Sequence, residues 1–256
     1  MPNSKDVIKD SYAKAINKFT KKNSVQQSSC CESPSSSQKT ESLQQSECCP
    51  STESLEKVKS AIPSFGCVYA LSDKANIKMG DVVVDLGSGA GHDVFRAAEL
   101  VGPEGRVVGI DFTPDMISAG LQNVAEKGLI NVDFRLSDIE NISVLPDNFA
   151  DVIISNCVIN LTFDKEAVFK EAFRILKPGG RLVDADVIAA SPLPSEIVND
   201  QQAWCSCLGG ALAKEVYIEK MEKAGLRNIR VKIFDKFNYL GNEFYNGILE
   251  AVKPET

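Results

Sequence analysis

The sequence predicts an α/β fold built on a doubly wound parallel sheet, and two periodic patterns and one turn motif support this class. Short apolar runs typical of buried strands occur at 82–86, 106–111, 132–136, 150–155 and 181–187. Stretches with helical spacing of apolar residues lie between them, at 92–100, 114–127 and 164–176. A glycine-rich turn follows the first strand directly. Because strands alternate with helices, we expect a parallel sheet covered by helices on both faces.

The region before the sheet divides into a helix and a polar segment. Residues 5–19 place apolar side chains on one stripe, which predicts a helix docked on a core. The stripe consists of Val7, Ile8, Tyr12, Ala15, Ile16 and Phe19. Residues 23–54 contain few large apolar side chains, so we expect that segment to be mobile. We therefore assign residues 1–60 to an N-terminal helix and a flexible, cysteine-containing segment.

The sheet region, 61–190, is predicted to be one domain, and residues 191–256 are predicted to form a small C-terminal α+β region. Its helices are predicted at 196–207 and 214–224, and its strand-like runs at 227–234 and 243–252. We expect this region to lie across the carboxyl ends of the parallel strands, where open α/β sheets bind their ligands.

Composition and charge exclude several classes of protein. The 256 residues are 43% hydrophobic and 25% charged, as in ordinary globular proteins. The 28 basic and 35 acidic residues give a formal net charge of −7, and the basic clusters are short, so we expect no nucleic-acid partner. No apolar run approaches the roughly 18 residues that span a bilayer, and no secretory signal is evident. We therefore expect a cytoplasmic protein without membrane contact.

A nucleotide-type site is predicted where the first strand meets the glycine-rich turn, 87–91. Asp85 lies in the last part of that strand and Asp111 closes the next one, where a carboxylate can bind ribose hydroxyls. A dinucleotide fingerprint, G-x-G-x-x-G, would require glycine at the position of His92, so the register disfavours a nicotinamide cofactor. The run D-L-G-S-G-A-G instead resembles motif I of the S-adenosylmethionine-dependent methyltransferases.

This resemblance covers residues 80–187 and implies a Rossmann-like methyltransferase sheet that binds S-adenosyl-L-methionine. It includes Asp138-Ile139-Glu140 and the run LKPGGRL at 176–182. The resemblance implies that the methionine end of the cofactor is bound by Asp85, Gly87, Ser88 and Gly89. It likewise implies that Asp111 binds the ribose, and that Asp138 and Ile139 bind the adenine. Phe112 and Asn156 complete the cofactor-binding residues that it implies. The alternative is that the glycines serve the turn alone.

Cysteine placement bears on the second substrate. The chain has eight cysteines, and in an intracellular protein we expect reduced thiols rather than disulfides. Cys157 follows the fourth strand, Cys67 precedes the first, and Cys205 and Cys207 end a predicted helix. Their thiolates would suit a soft, thiophilic centre if they converge, although each could be a buried apolar residue instead. A cysteine–histidine hydrolase is disfavoured because the sole histidine, His92, belongs to the glycine turn.

Three runs of sequence resemble the S-adenosylmethionine-dependent arsenite methyltransferases, and the similarity extends over residues 61–225. The runs are SNCVINL at 155–161, LKPGG at 176–180 and CLGGAL at 207–212. The resemblance implies a methyltransferase that acts on As(III) or its thiol conjugates in arsenic detoxification. Residues 61–190 would then bind the cofactor, and residues 191–256 would contribute to the arsenic site.

In that family three cysteines bind trivalent arsenic, and the matching positions here are Cys67, Cys157 and Cys207. Their catalytic role would be to hold arsenic with its lone pair free, so that methyl transfer needs no general base. Two features depart from the family pattern. Cys67 is followed by Val-Tyr-Ala rather than by a Gly-Asn-Pro-like run, and Cys205 is an extra thiol that could replace Cys207 as a ligand or form a disulfide with it.

Two further cysteine pairs, Cys30-Cys31 and Cys48-Cys49, lie in the polar segment. Relatives in the family often have a fourth cysteine upstream of the three, and Cys48 or Cys49 could fill that position. Such an accessory thiol would help to return oxidised arsenic to the trivalent state. This chemistry implies a thiol reductant, glutathione or thioredoxin, and makes thioredoxin a candidate protein partner. Cys30 and Cys31 receive no role.

Three alternatives stay open at this point. The same fold could methylate a small organic molecule at carbon or oxygen, which would require an apolar pocket or a base. The chain could be a non-enzymatic arsenic-binding protein, against which the intact cofactor motif argues. The thiols could hold structural zinc, although such sites usually present C-x-x-C pairs and only Cys205-x-Cys207 comes close.

Overall fold

The computed structural model describes residues 5–27 and 66–255. The helices of this part of the chain are α1 (Lys5–Gln27), α2 (His92–Val101), α3 (Pro114–Lys127), α4 (Lys165–Ile175), α5 (Ser195–Val198), α6 (Gln201–Cys205) and α7 (Lys214–Lys223). The strands are β1 (Val82–Leu86), β2 (Arg106–Asp111), β3 (Val132–Leu136), β4 (Ala150–Asn156), β5 (Leu176–Ala189), β6 (Leu212–Ala213), β7 (Arg227–Tyr239) and β8 (Asn242–Val252). Short 3₁₀ turns lie at Leu71–Lys74 and Ile159–Leu161.

The strands form one sheet with the order β3-β2-β1-β4-β5-β8-β7, and the short β6 pairs with β5. Strands β1 to β5 are parallel; Val83 of β1 pairs with Val107 of β2 on one side and with Val152 of β4 on the other. The chain order therefore reverses between β1 and β4, which is the topological switch point where open α/β sheets form their ligand crevice. The predicted doubly wound fold is confirmed.

The apolar runs form strands because both faces of the parallel sheet are covered. Val83 packs with Val94 of α2 on one face, whereas its neighbour Val84 packs with Val168 and Phe169 of α4 on the other. Successive strand residues point to opposite faces, so a strand that is buried on both sides is apolar at most of its positions. This explains why the bounds of the first three strands and of α3 coincide with the sequence prediction.

The C-terminal strands extend the sheet instead of lying across its carboxyl ends, so that prediction was wrong for β7 and β8. β8 runs antiparallel to β5, with Arg181 opposite Val252 and Ala189 opposite Phe244. The physical reason is that β5 would otherwise expose a full row of unpaired backbone groups at the sheet edge. The connection from β5 to α7 does lie near the carboxyl ends, where Ala203 and Trp204 pack with Cys157. Its predicted single helix is two short ones, and the Asp200 side chain caps α6 by accepting from the Gln202 amide at 3.0 Å.

The N-terminal helix docks on the domain as predicted and is longer than expected. α1 buries Ile8 and Ile16, and contacts α3 and α6. Lys5 near its start forms ion pairs with Asp138 at 2.5 Å and with Glu140 at 2.7 Å. The helix continues to Gln27, into the segment that was predicted to be mobile.

The rest of the predicted mobile segment lies outside the described residues, and so do its four cysteines, Cys30, Cys31, Cys48 and Cys49. None of the helices in the described ranges has the length and apolar character that a membrane crossing requires.

Candidate active site

A cleft of about 650 Å³, including its open mouth, lies at the carboxyl ends of β1, β2 and β4. The turn after β1 forms its floor, and Gly87, Gly89 and Gly91 have φ values of 71°, 53° and 102° there. A side chain at Gly87 would also overlap the side chain of Val158. Glycine is therefore required at this position both for the left-handed backbone and for the close approach of the next loop.

Most of the residues predicted to bind the cofactor line this cleft together. They are Asp85, Gly87, Ser88, Gly89, Asp111, Phe112 and Asn156. Asp111 is oriented by the amides of Gly89, at 3.0 Å, and Thr113, at 2.8 Å. The Ser88 hydroxyl is buried and has no hydrogen-bond partner within the described residues. The contacts of these residues with a cofactor stay predictions.

The charge of the cleft favours a cationic ligand. Burial, followed by the charges of Asp93 and Asp111, raises the pKa of Asp85 well above its ordinary value. Burial likewise raises the pKa of Asp111, although the Thr113 and Gly89 amides lower it in part. A ligand that carries positive charge would relieve this repulsion. S-adenosylmethionine carries both an ammonium and a sulfonium group, so the chemistry of this donor set fits it.

Two predicted cofactor residues, Asp138 and Ile139, are not among the residues that line the cleft. Ile139 is buried in the core beneath α4. The Asp138 carboxylate pairs with Lys5 and accepts a hydrogen bond from the Glu140 amide at 3.0 Å. The start of α1 therefore contacts Asp138, one of the two residues predicted to bind the adenine, and the sequence analysis had not anticipated this contact.

The three predicted arsenic ligands converge although they are far apart in sequence. The Cys67 amide donates to the Cys157 sulfur at 3.1 Å, and the Cys207 thiol donates to the Cys157 carbonyl at 2.8 Å. All three are reduced, as is the half-buried Cys205. Cys157 lines the cleft wall, and Cys67 and Cys207 contact it from outside the lining. The structure thus brings together a thiol cluster, which we define as Cys67, Cys157 and Cys207.

The backbone of two of these cysteines is unusual. Cys157 has a φ of 57° and Cys207 a φ of 60°, in the left-handed region that L-residues rarely occupy. Hydrogen bonds hold both conformations: the Cys157 amide donates to the Ala185 carbonyl at 2.8 Å, and Asn160 donates to the Cys207 carbonyl at 3.0 Å. Cys157 thereby turns out of β4 and Cys207 turns out of α6.

Asn156, the residue before Cys157, fixes the segment that carries Cys67. The side-chain nitrogen of Asn156 donates to the Val68 carbonyl at 2.7 Å and to the Asp93 carboxylate at 3.0 Å. The side-chain oxygen of Asn156 accepts from the backbone amide of Val68 at 3.3 Å. A side chain at Gly66 would overlap that of Asn156. Glycine before Cys67 therefore lets this segment approach β4 closely enough to complete the thiol cluster.

A buried polar network lies against the thiol cluster, and the sequence analysis missed it. The Asp186 carboxylate accepts from the amides of Asn160, at 2.9 Å, and Val187, at 2.8 Å. Asn160 also donates to the Val187 carbonyl at 2.7 Å and accepts from the hydroxyl of Tyr217. A usable signal was present, because Asp186 interrupts the apolar strand β5 at a position where both faces are buried.

Tyr12 of α1 is a second residue that was missed as part of the site. The sequence predicted it only as one member of the apolar stripe, but it lines the cleft. Its hydroxyl donates to the Cys205 carbonyl at 3.3 Å. Burial, followed by the nearby Cys207 and Cys157, raises the pKa of Tyr12 well above its ordinary value. α1 thus contributes directly to the site.

The surroundings of Cys157 and Cys207 favour the protonated form of both thiols. Hydrogen bonds with Cys207 and Cys67, together with burial, raise the pKa of Cys157 well above its ordinary value. For Cys207 the hydrogen bond with Cys157 lowers the pKa, but burial and the charge of Asp186 outweigh it and raise the pKa overall. Such thiols resist simple ionisation, so a ligand must displace their protons in order to bind them.

Comparison with known proteins relates this chain to methyltransferases. A family model described as a methyltransferase domain matches residues 77–233. An arsenite methyltransferase from Halobacterium salinarum is 38% identical over 185 residues, which are 68% of this chain and 47% of the relative. One from Aquipseudomonas alcaligenes is 47% identical over 139 residues, which are 52% of this chain and 40% of the relative. The chain thus spans less than half the length of these curated relatives.

A solved structure extends the similarity. An arsenic(III) S-adenosylmethionine methyltransferase from Chlamydomonas reinhardtii superimposes with a TM-score of 0.62 and 30% identity, covering 80% of this chain and 71% of that one. The fold, the glycine turn and the acidic cleft define the chain as an S-adenosylmethionine-dependent methyltransferase. Within that class, it belongs to the arsenite methyltransferase family.

Proposed function

We propose that this chain transfers the methyl group of S-adenosylmethionine to trivalent arsenic bound by the thiol cluster. The observation that carries the proposal is that three reduced cysteines meet at the wall of an acidic cleft. S-adenosylmethionine supplies an electrophilic methyl group on a positively charged sulfur. Asp85, Asp111 and the glycine turn would hold it, and the unpartnered Ser88 hydroxyl would add a hydrogen bond.

The role of the cysteines follows from the chemistry of the thiol cluster. Each thiol of Cys67, Cys157 and Cys207 gives up its proton as an As–S bond forms, and an arsenite oxygen leaves with that proton as water. The product is a neutral trithiolate whose arsenic keeps its lone pair. This lone pair forms the As–C bond while the C–S bond of the sulfonium breaks and its electrons return to that sulfur. No general base is required for this step, because the lone pair is already available.

Position would supply much of the rate enhancement. Cys157 lines the same cleft as Gly87 and Ser88 of the turn, so arsenic bound there would lie beside the predicted methionine end of the cofactor. Holding two reactants in a productive arrangement can contribute about 7 to 11 kcal/mol to a reaction. Thiolate ligands are well suited to a soft centre such as As(III).

The experiment that tests this function is arsenic speciation after incubation of the purified chain with S-adenosylmethionine, glutathione and arsenite. We expect methylated arsenic from the wild type and none from Cys157→Ser or Cys207→Ser. Cys205→Ser is the matched control, because this thiol lies next to the cluster without belonging to it, and we expect it to retain activity.

Two results would contradict the proposal, and a third would change one of its arsenic ligands. A wild type that binds S-adenosylmethionine but yields no methylated arsenic would favour a small organic acceptor. A wild type that binds arsenite but not S-adenosylmethionine would favour arsenic sequestration without catalysis. Activity that depends on Cys205 but not on Cys207 would move the third ligand to Cys205.

We further propose that a thiol reductant, glutathione or thioredoxin, supports turnover in the cytosol, where glutathione keeps thiols reduced. Cys48 or Cys49 would assist as the accessory thiol that returns arsenic to the trivalent state, and the activity would serve arsenic detoxification. The combined Cys48→Ser and Cys49→Ser variant should complete a first methylation normally but lose later turnovers. Normal repeated turnover in that variant would exclude the accessory role.

A further inference from the structure

A carboxylate lies against two of the three cysteines, and the methylation mechanism does not use it. Asp186 of β5 is fully buried. One of its oxygens and the sulfurs of Cys157 and Cys207 lie within 4.8 Å of one another. An ion at the centre of these atoms, with ligand distances of about 2.0–2.3 Å, would reach all three after small side-chain rotations. Two thiolates and one carboxylate are ligand types that zinc accepts.

The carboxylate is already oriented for such a role. The amide of Asn160 donates to one oxygen of Asp186 and the amide of Val187 donates to the other. Each carboxylate oxygen has a second acceptor site, so both remain able to bind a further partner. Ligands that are themselves held by hydrogen bonds bind metals more tightly, because they lose less freedom on binding.

The charge of the cluster distinguishes a divalent cation from arsenic. A neutral arsenic trithiolate leaves the charge of the Asp186 carboxylate unchanged. A divalent cation would be neutralised in part by that carboxylate, and would offset the cost of burying it. Arsenic therefore bonds to Cys67 as its third thiolate and gains nothing from the charge of Asp186. A divalent cation, in contrast, is partly neutralised by the Asp186 carboxylate.

We propose that Cys157, Cys207 and Asp186 form a binding site for a thiophilic divalent cation of the zinc and cadmium class, with solvent at the fourth position. This inference goes beyond arsenic methylation and does not depend on it. Because the cation and arsenic would share Cys157 and Cys207, they would bind competitively. Zinc would then inhibit methylation by occupying the thiol cluster.

The test uses the full chain with Cys30, Cys31, Cys48 and Cys49 replaced by serine, so that thiols outside the described residues do not bind the probe. Zn²⁺ affinity is measured by competition with a coloured chelator. We expect Asp186→Asn to weaken Zn²⁺ binding about tenfold or more, and the neighbouring Cys205→Ser to change it by less than about twofold. Equal Zn²⁺ affinity in Asp186→Asn and in the parent protein would overturn the proposal.

A second measurement identifies the ligands of the bound ion directly. Zinc K-edge X-ray absorption of the bound ion should require two sulfur ligands together with two oxygen ligands, one from Asp186 and one from solvent, and one oxygen fewer in Asp186→Asn. The same sulfur and oxygen shells in both proteins, or a shell of sulfur alone, would exclude Asp186 as a ligand and overturn the proposal.

The two functions can be separated by a pair of variants. Asp186→Asn should retain arsenite affinity, monitored through the fluorescence of Trp204, the single tryptophan of the chain, which lies beside the cluster. Cys67→Ser should lose arsenite affinity and retain Zn²⁺ affinity. A parent protein that binds Zn²⁺ but not arsenite would refute the proposed function and leave this inference standing, and the reverse result would refute this inference alone.

Discussion

Cys157 and Cys207 occupy a backbone conformation that glycine would adopt more easily. The left-handed region costs an L-residue roughly 1–2 kcal/mol, and both positions require it. The hydrogen bonds to Ala185 and from Asn160 offset this cost locally. Glycine would remove the strain together with the thiol. Strain that is retained at two neighbouring thiols is the pattern expected where function selects the side chain.

Asn156 provides a residue-scale prediction. Asn156→Ala removes the hydrogen bonds that hold the Val68 backbone, so the segment carrying Cys67 should leave the cluster. In protein that lacks the four N-terminal cysteines, we expect arsenite to protect two thiols from alkylation instead of three. Asn123→Ala is the control, since among the described residues this side chain hydrogen-bonds the Ala90 carbonyl alone, at 3.4 Å. Unchanged protection in Asn156→Ala would show that the segment is held in another way.

Alanine substitutions at Gly87 and Gly128 distinguish the effect of backbone strain from the effect of steric crowding. Both have positive φ, at 71° and 64°, but only a side chain at Gly87 would meet a neighbour, Val158. Gly128→Ala should cost about 1 kcal/mol and leave cofactor binding intact. Gly87→Ala should destabilise the protein further and abolish S-adenosylmethionine binding, measured by calorimetry beside thermal unfolding. Similar effects of the two changes would mean that the loop at Val158 adjusts freely.

At the scale of elements, α1 contacts two separate parts of the domain. Its Lys5 pairs with Asp138 outside the cleft, and its Tyr12, which lines the cleft, donates to the Cys205 carbonyl. The ion pair is substantially exposed, and exposed pairs contribute only about 0–1 kcal/mol. The burial of Ile8 and Ile16 therefore contributes most to the docking of this helix.

This ranking predicts the effect of truncating Ile8. Ile8→Ala should weaken the docking of α1 by about 2–4 kcal/mol, because a well-packed side chain is lost. Hydrogen exchange should then increase across α1 while the sheet stays protected, and S-adenosylmethionine affinity should fall because Tyr12 leaves the cleft wall. Lys14→Ala, an exposed position on the same helix, is the control and should change neither quantity. If Ile8→Ala leaves exchange in α1 unchanged, Ile8 does not anchor the helix.

At the scale of the whole molecule, a buried lysine links stability to pH. The Lys165 ammonium donates to the Thr162 carbonyl at 2.9 Å and lies 5.6 Å from the Trp204 ring centre. Burial lowers the pKa of Lys165 from 10.5 to about 8. At a pH below the pKa of Lys165 in the folded chain, this side chain is protonated in both the folded and the unfolded chain, so folding carries the full cost of burying the charge. Between that pKa and the ordinary pKa of the unfolded chain, Lys165 is protonated in the unfolded chain alone, and stability rises with pH.

Lys165→Met tests this linkage. We expect the variant to be more stable than wild type near neutral pH, and the advantage to decline as pH rises through the interval above the folded pKa. The slope should be at most about 1.4 kcal/mol per pH unit. Urea unfolding from about pH 7 to about pH 10 measures it. Lys170→Met, exposed on the same helix, should follow wild type at every pH. A constant difference between Lys165→Met and wild type would mean that Lys165 has an ordinary pKa in the folded protein.

The sequence by itself determined the local elements and the chemistry available to them. Residues 82–84 are apolar at successive positions because both faces of a parallel strand are buried, so the position of such strands could be predicted. The glycine turn and the identities of Cys67, Cys157 and Cys207 were equally visible. These features depend on neighbouring residues or on motifs, and neither requires knowledge of distant contacts.

Only the tertiary structure decided which distant residues meet. Cys67 and Cys157 are 90 positions apart, and Asn156 joins their segments through hydrogen bonds that no local pattern encodes. The placement of β8 beside β5, and of Asp186 beside the thiols, likewise depends on which edge and which cavity remain to be filled once the sheet is assembled. Packing of the whole chain decides which backbone groups and buried charges find partners. The positions of β8 and Asp186 are therefore determined by the complete fold and not by local sequence.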